Sequence, residues 1–415
     1  MEGVMGVLGR GEQAVACRRL ALGLLAAALL VVAGCAPRRA PPAPPPPPPP
    51  EAPRPPEPPR EEDRHRVAVL VPLSGPNAAV GQSIAHAVTL ALADSGSTRV
   101  RFTTYDTAAE GAAAAAARAL GEGAGLILGP LLAADIPAVR AAAEPRRVPV
   151  LSFSNDASLA GGVVWILGFQ PAQAVERVVA QAVAQGRRRF AALVPNGTYG
   201  ERAAVALTRA VAAQGGEVAA ITRFTRAREA LPAAARRVAG WDQRLKAGSA
   251  GQPAPPGFDA LLIADSGPIA GAFTPQLARY GVRAPDVLLL GTELWAADPG
   301  IVRVPGLQGA LFAAVPDTRF RMLAARYRAR FGGNPSRLAS LGYDAALLAI
   351  GAAGRWSVGE PLPTTVLADG RGFSGVDGIF RFRGQVAERG LEVRQVTPQG
   401  FRVVSPAPSA FAGAG

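Results

Sequence analysis

The side chains that usually carry catalysis are scarce in this 415-residue chain: histidine occurs only at His65 and His86, and cysteine only at Cys17 and Cys35. A catalytic relay needs a base held against a nucleophile by a third group, and this inventory offers little from which to build one. Gly81-Gln82-Ser83-Ile84-Ala85 approaches the Gly-x-Ser-x-Gly nucleophile elbow, but an elbow demands a sharp turn directly after a strand, and this segment starts within or beside a helical stretch. Gly121, Gly123 and Gly125 precede an apolar strand-like run instead of following one, which is the wrong context for a dinucleotide loop. No cluster has metal-ligand spacing. An enzyme, a metal and an organic cofactor are therefore not expected, and the chemistry left to the chain is recognition.

The elements that must position such a site are legible from hydrophobic periodicity. Residues 67–73 form an apolar run suited to a buried strand, Ser74-Gly75-Pro76 make a turn, and residues 77–92 place apolar side chains at helical spacing. The alternation continues with a strand at 99–105, a helix at 108–120, a strand at 126–128, a helix at 132–143 and a strand at 148–153. A second series follows Trp165 and Gly168: helix 171–185, strand 190–194, helix 199–213, strand 217–224, a long helix 226–245, strand 260–264, helix 268–280 and strand 287–290. Strands alternating with helices imply βαβ units and parallel sheets. The expected fold is α/β, with two doubly wound parallel-sheet lobes joined by a hinge, and ligands in such sheets bind outside the carboxyl ends of the strands.

The N-terminal end reads as an address and a tether. Arg18-Arg19 precede an unbroken apolar run at 20–33, about fourteen residues and too short to span a bilayer, so residues 1–34 read as a signal peptide. Val32-Ala33-Gly34-Cys35 resembles the lipobox of bacterial lipoproteins, which implies a lipidated Cys35 at the mature N-terminus; Ala36, where Asp would retain a lipoprotein in the inner membrane, points to the outer membrane. An ordinary secretory signal with a stray cysteine is the alternative. Cys17 would leave with the signal, so no thiol remains for a disulfide. Between Pro37 and Pro59, fifteen of 23 residues are proline. At about 3.1 Å per residue in polyproline II, that segment reaches roughly 70 Å, and residues 35–66 read as a disordered, semi-rigid stalk.

The formal net charge is +13, and 43 of the 44 basic residues are arginine, the exception being Lys246. Their uniform spread alongside abundant alanine reads as the codon usage of a GC-rich genome, so nucleic acid is not an expected partner. The densest run, Arg187-Arg188-Arg189, reads as a solvated loop. Residues 1–66 hold nine basic and seven acidic side chains, which leaves +11 on the rest. That excess favours anionic surroundings such as lipid head groups or cell-wall polymers without naming a partner.

Several loops carry a family resemblance. Val69-Leu70-Val71-Pro72-Leu73-Ser74-Gly75-Pro76, with Gly81-Gln82, is similar to the first strand, loop and helix of type I periplasmic binding proteins of the leucine-binding class. Leu126-Ile127-Leu128-Gly129-Pro130, Val148-Pro149-Val150-Leu151-Ser152-Phe153-Ser154-Asn155, Thr198-Tyr199-Gly200 and Gly342-Tyr343-Asp344-Ala345 follow in the right order. The resemblance covers residues 67–404, with 405–415 as a tail. It implies lobe 1 at 67–170 and 296–371, lobe 2 at 171–295 and 372–404, and crossings near Gly168–Pro171, Thr292–Ala296 and Arg371–Gly375. The stalk, Leu128-Gly129-Pro130-Leu131 and Phe153-Ser154-Asn155-Asp156 further resemble the penicillin-binding protein activator lipoproteins, although the chain lacks the additional helical-repeat domain of the enterobacterial form.

Two functions are implied by these resemblances. One is a non-catalytic envelope lipoprotein regulating peptidoglycan synthesis through contact with a bifunctional penicillin-binding protein. The alternative is a substrate-binding lipoprotein delivering an amino acid or amide to an ABC transporter. In amino-acid-binding relatives, loop hydroxyls and backbone N–H groups hold a carboxylate while an acidic side chain holds the ammonium. Carried onto this chain, the cleft positions are Ser74, Gly129, Pro130, Ser152, Ser154, Asn155, Tyr199, Asp265, Ser266, Glu293 and Trp295, with Tyr199 as an aromatic wall and Glu293 or Asp265 as counter-charge. The plainer alternative is that Ser154 and Asn155 cap a turn and Asp265-Ser266 caps a helix. Tyr343-Asp344 is expected to be structural, with Asp344 near a helix start.

Overall fold

The computed structural model describes residues 63–249 and 252–411; the expected signal peptide, the lipidated Cys35 and the proline-rich stalk lie outside the described residues. The chain enters a first lobe through β1 (His65–Val71), α1 (Ala78–Ser95), β2 (Val100–Asp106), α2 (Ala112–Gly121), β3 (Leu126–Leu128), α3 (Ile136–Ala143), β4 (Val150–Ser152) and β5 (Val164–Ile166). It crosses to a second lobe with α4 (Pro171–Ala184), β6 (Arg189–Pro195), α5 (Thr198–Ala213), β7 (Glu217–Phe224), α6 (Leu231–Val238), α7 (Trp241–Ala247), β8 (Ala260–Ile263), α8 (Gly267–Arg279), β9 (Leu288–Gly291) and β10 (Leu311–Ala314). It returns to the first lobe as α9 (Thr318–Phe331), α10 (Ala339–Ala352), α11 (Thr364–Leu367), β11 (Phe373–Gly375), β12 (Gly378–Arg383) and β13 (Val386–Arg389). It ends in the second lobe with β14 (Glu392–Thr397) and β15 (Gly400–Ser405). The sheet orders are β11-β12-β13-β5-β4-β3-β1-β2 and β15-β14-β10-β9-β8-β6-β7.

The central strands read as continuous apolar runs because helices cover both faces of each sheet. In β1, Val67, Val69 and Val71 face one core while Ala68 and Leu70 face the other. In β6, Ala191 and Leu193 face one core, and Phe190, Ala192 and Val194 the opposite one. Both lobes repeat one strand-to-helix joint: a Cβ on Gly81 would stand 1.8 Å from the Pro72 carbonyl oxygen, and one on Gly200 1.7 Å from that of Pro195. Only glycine lets α1 and α5 start so close to the strand ends. Among the described residues no helix is long and apolar enough to cross a membrane.

Two expected crossings move. The chain does not leave the second lobe at Thr292–Ala296, because β10 pairs in parallel with β9 (Leu311 opposite Leu290); it leaves only after β10. Nor does it cross at Arg371–Gly375, because β11 and β12 pair antiparallel and β13 joins β5 (Val386 opposite Ile166), so the last crossing falls between β13 and β14. The lobe boundaries expected at 296 and 371 shift accordingly. The long helix expected over 226–245 is broken at Gly240, whose φ of 57° ends α6 and starts α7.

Arginines pin the crossings. Arg389 donates to the Leu167 carbonyl at 2.9 Å and stacks on Phe169 and Phe380, while Arg394 donates to the Val315 carbonyl at 3.0 Å. Phe169, on the first crossing, packs against cores of both lobes. Asp344 is structural as expected, but it sits inside α10 and not at its start. Its carboxylate accepts from the Val376 amide at 2.6 Å, and burial together with the Asp377 carboxylate pushes its pKa up.

Candidate functional site

At the carboxyl ends of the parallel strands, where ligands bind in such sheets, the loop after β4 meets α5, which follows β6, across the two lobes. On the first lobe, most of the expected cleft residues are tied up in holding these loops together. The Ser74 hydroxyl and the Leu73 amide both donate to the Asp106 carboxylate at 2.9 Å. Gly129 has φ 114° and lies against Leu70, where a Cβ would approach the carbonyl oxygen to 2.2 Å. Pro130 accepts from the Ser152 hydroxyl at 2.9 Å and the Phe153 amide at 3.0 Å. Ser152, fully buried, also accepts from the Ser154 amide, so it is a strut between the loops after β3 and β4 and not a ligand-facing hydroxyl. Ser154 caps the turn by accepting from the Asp156 amide at 3.1 Å. Asn155 and Asp156 end the loop.

On the second lobe the geometry is different. The Tyr199 hydroxyl lies 2.8 Å from the Thr292 hydroxyl and donates to Glu293 Oε1 at 3.4 Å. Glu293 Oε2 is buried with no hydrogen-bond partner among the described residues. Burial raises the Glu293 carboxyl from 4.5 to about 7, opposed by its own amide and by Tyr199. The Tyr199 phenol is pushed well above its ordinary range, first by burial and then by the Glu293 charge.

Asp265 is also buried, but its charge is answered: Oδ2 accepts from Arg226 Nε at 2.7 Å and Oδ1 from the Ser266 amide at 2.7 Å. Of the two acidic candidates, Glu293 alone keeps an unanswered oxygen. Ser266 stands at the N-terminus of α8 without a side-chain cap bond, so the helix-capping alternative does not hold for its hydroxyl. Trp295 is not a cleft residue: it is fully buried in the second lobe's core, it tilts against Phe312, and its indole N–H donates to the Asp265 carbonyl at 3.0 Å. A side chain of that size after β9 is taken up by the space that Gly291 leaves above the sheet.

A contact absent from the sequence reading joins the lobes. Arg202 forms an ion pair with Asp156 at 2.5 Å and donates to the Asn155 carbonyl at 3.4 Å. Arg202 stands three residues after Tyr199 on α5, so both project from one helix face. That spacing was the available signal for it. The structure therefore gathers Tyr199, Thr292 and Glu293 on the second lobe, while Arg202, Asp156 and Asn155 tie α5 of that lobe to the loop after β4 of the first. Ser74, Ser152 and Trp295 stay outside that group. Among the described residues no group of three His, Cys, Asp or Glu side chains could hold a metal ion.

The family model described as periplasmic binding protein matches residues 65–399. Among solved structures, a putative branched-chain amino acid ABC transporter protein from Rhodospirillum rubrum superposes with a TM-score of 0.68 at 20% identity, covering 82% of this chain and 100% of that one. A branched-chain amino acid ABC transporter periplasmic ligand-binding protein from Burkholderia xenovorans gives 0.63 at 19% identity, covering 83% and 96%. An ABC transporter substrate-binding protein from Desulfitobacterium hafniense, in complex with Leu, gives 0.61 at 18%, covering 82% and 100%. An uncharacterized protein of Rickettsia prowazekii is 25% identical over 143 residues, 34% of this chain and 38% of that protein.

Proposed function

The chain belongs to the periplasmic binding protein family, and from that premise we propose that its head is a solute receptor. The bound solute would present a cationic or amide N–H donor to Glu293 between the lobes. The observation that carries this reading is the buried Glu293 Oε2, which lacks a partner beside the Tyr199 hydroxyl. A buried carboxylate without a cation is costly, and a ligand ammonium would supply the missing charge. An amino acid or its amide fits, and the Ser154 hydroxyl, which accepts from Asp156, still has a proton to give to a ligand oxygen. The similarity to proteins described as amino-acid transporter components supports the same class. Release would be to an ABC permease.

Calorimetry of the purified protein against a panel of amino acids and amides tests the reading. Stoichiometric heat with one class, lost in Glu293→Gln, is expected. A panel without heat would refute it. Because a cationic ligand needs Glu293 ionised, affinity at pH 6 should be about tenfold weaker than at pH 8, given a free-state value of about 7.

A second reading draws on the Arg202–Asp156 bridge, in which the protein's own side chains join the two lobes. A head closed by its own side chains suits a docking module, and Phe153-Ser154-Asn155-Asp156 resembles the penicillin-binding protein activators. A lipid on Cys35, with Ala36 directing it to the outer membrane, would place such a module across the periplasm from an inner-membrane synthase. Capture of a bifunctional penicillin-binding protein with enhanced glycan polymerisation would favour this reading; solute heat without capture would exclude it.

A further inference from the structure

Helix α9 carries Arg319, Arg321, Arg326, Arg328 and Arg330 in fourteen residues and no acidic side chain. Its inner face is anchored: Leu323, Ala324 and Tyr327 are buried, Phe331 stacks on His86 of α1 at 4.2 Å, and Tyr327 bonds the His86 ring at 3.0 Å. The outer face is ordered in a particular way. Met322, 62% exposed, together with exposed Ala325 and Ala329, forms a shallow ridge at helical spacing. Arg326 and Arg330 flank it on one side, Arg321 and Arg328 on the other. Arg321 meets Asp317 and Arg326 meets Asp94, but Arg328 donates to the neutral Asn334 side chain and Arg330 lies over the Phe331 ring. A strip about 21 Å long at 1.5 Å per residue thus presents guanidinium groups in two rows around a thin apolar crest.

We propose that the outer face of α9 docks on the anionic head groups of a phospholipid bilayer. One methionine and two alanines are too little for the buried anchor of a protein interface. Two rows of long, planar cations match an array of phosphates instead, with Met322 reaching the boundary of the acyl region. The proposal is independent of what the cleft binds. If Cys35 is lipidated, as the receptor and activator readings both suppose, the tether would raise the effective concentration of the head at that surface.

The head holds both complete sheets and all four of the described apolar cores, so it can be expressed from Ala36 onward, which removes the lipid anchor from the measurement. Co-sedimentation would use phosphatidylcholine vesicles with and without phosphatidylglycerol. Binding is expected only with phosphatidylglycerol, and it should fall as salt shortens the screening length. At about fivefold per arginine near an anionic surface, Arg328→Gln with Arg330→Gln should weaken partitioning about thirtyfold. The same charge removed from the second lobe, by Arg279→Gln with Arg283→Gln, should change it several times less. Circular dichroism confirms that each variant is folded. Equal binding to both vesicle types, no binding to either, or equal loss from both variant pairs would overturn the proposal, and so would retention by a soluble acidic polypeptide in place of vesicles.

Discussion

Replacing Glu293 with glutamine should make the protein more stable at alkaline pH while abolishing solute binding. The carboxyl's rise from 4.5 to about 7 means that the folded state holds a proton more tightly than the unfolded state. For a raised carboxyl, the associated stability is complete below pH 4.5 and is lost as the pH climbs through about 7. At 1.36 kcal/mol per unit the loss is about 3 kcal/mol. Glutamine keeps an acceptor for Tyr199 but leaves a buried amide donor where Oε2 stood, costing about 1 kcal/mol, so the net gain at pH 8 is about 2 kcal/mol. An unfolding entropy of about 2.1 cal/mol/K per residue over about 350 residues converts this into a rise in Tm of about 3 °C. Denaturant titrations of both proteins at pH 5, 6, 7 and 8 would read it, since every other titrating group cancels in the difference. The curves should cross near pH 5, separate between pH 5 and about 7, and run parallel above that. A variant less stable than wild type at pH 8, or a difference independent of pH, would show that Glu293 already has a partner and would remove the ground for placing a ligand cation there.

Arg202→Ala should open the cleft. The pair is two-thirds or more buried at both ends, so its loss is worth about 1 kcal/mol, about fivefold in the closed population, and small-angle scattering should show a larger radius of gyration. Burial works to raise Asp156, but bonds from Ser158 and Arg202 outweigh it and hold it below its ordinary range; the bridge is present above about pH 4 and is lost as pH falls through that lowered value. Gly200→Ala should destabilise by about 3 kcal/mol, measured by denaturant unfolding, because its Cβ would lie 1.7 Å from the Pro195 carbonyl oxygen and α5 would have to shift. Arg389→Met should cost about 3–5 kcal/mol in the same assay by removing the buried cation beside Asp344 and leaving Asp377 with Arg337 alone at 2.6 Å, and Asp344→Asn added to it should restore part of the loss.

Most of the architecture was determined by the sequence, because a strand buried on both faces must be a continuous apolar run and a covering helix must repeat near every 3.6 residues. The runs at 67–71, 126–128 and 190–194 and the stripes at 171–184 and 199–213 therefore lie where they were expected. The C-terminal strands β11–β15 and the crossings around them could not be placed, since β13 and β14 owe their lobes to β5 and β10, partners far away in sequence. The residue types for a cleft were visible too, but their roles were not. Ser152 and Trp295 carry the same chemistry whether they face a ligand or a core, and only the Pro130 carbonyl and the pocket above Gly291 decide it. Likewise Glu293 and Asp265 are equivalent as letters. Arg226, drawn in by the fold, neutralises one and leaves the other buried without a cation, because a charge is assigned its partner by distance in space and not by position along the chain.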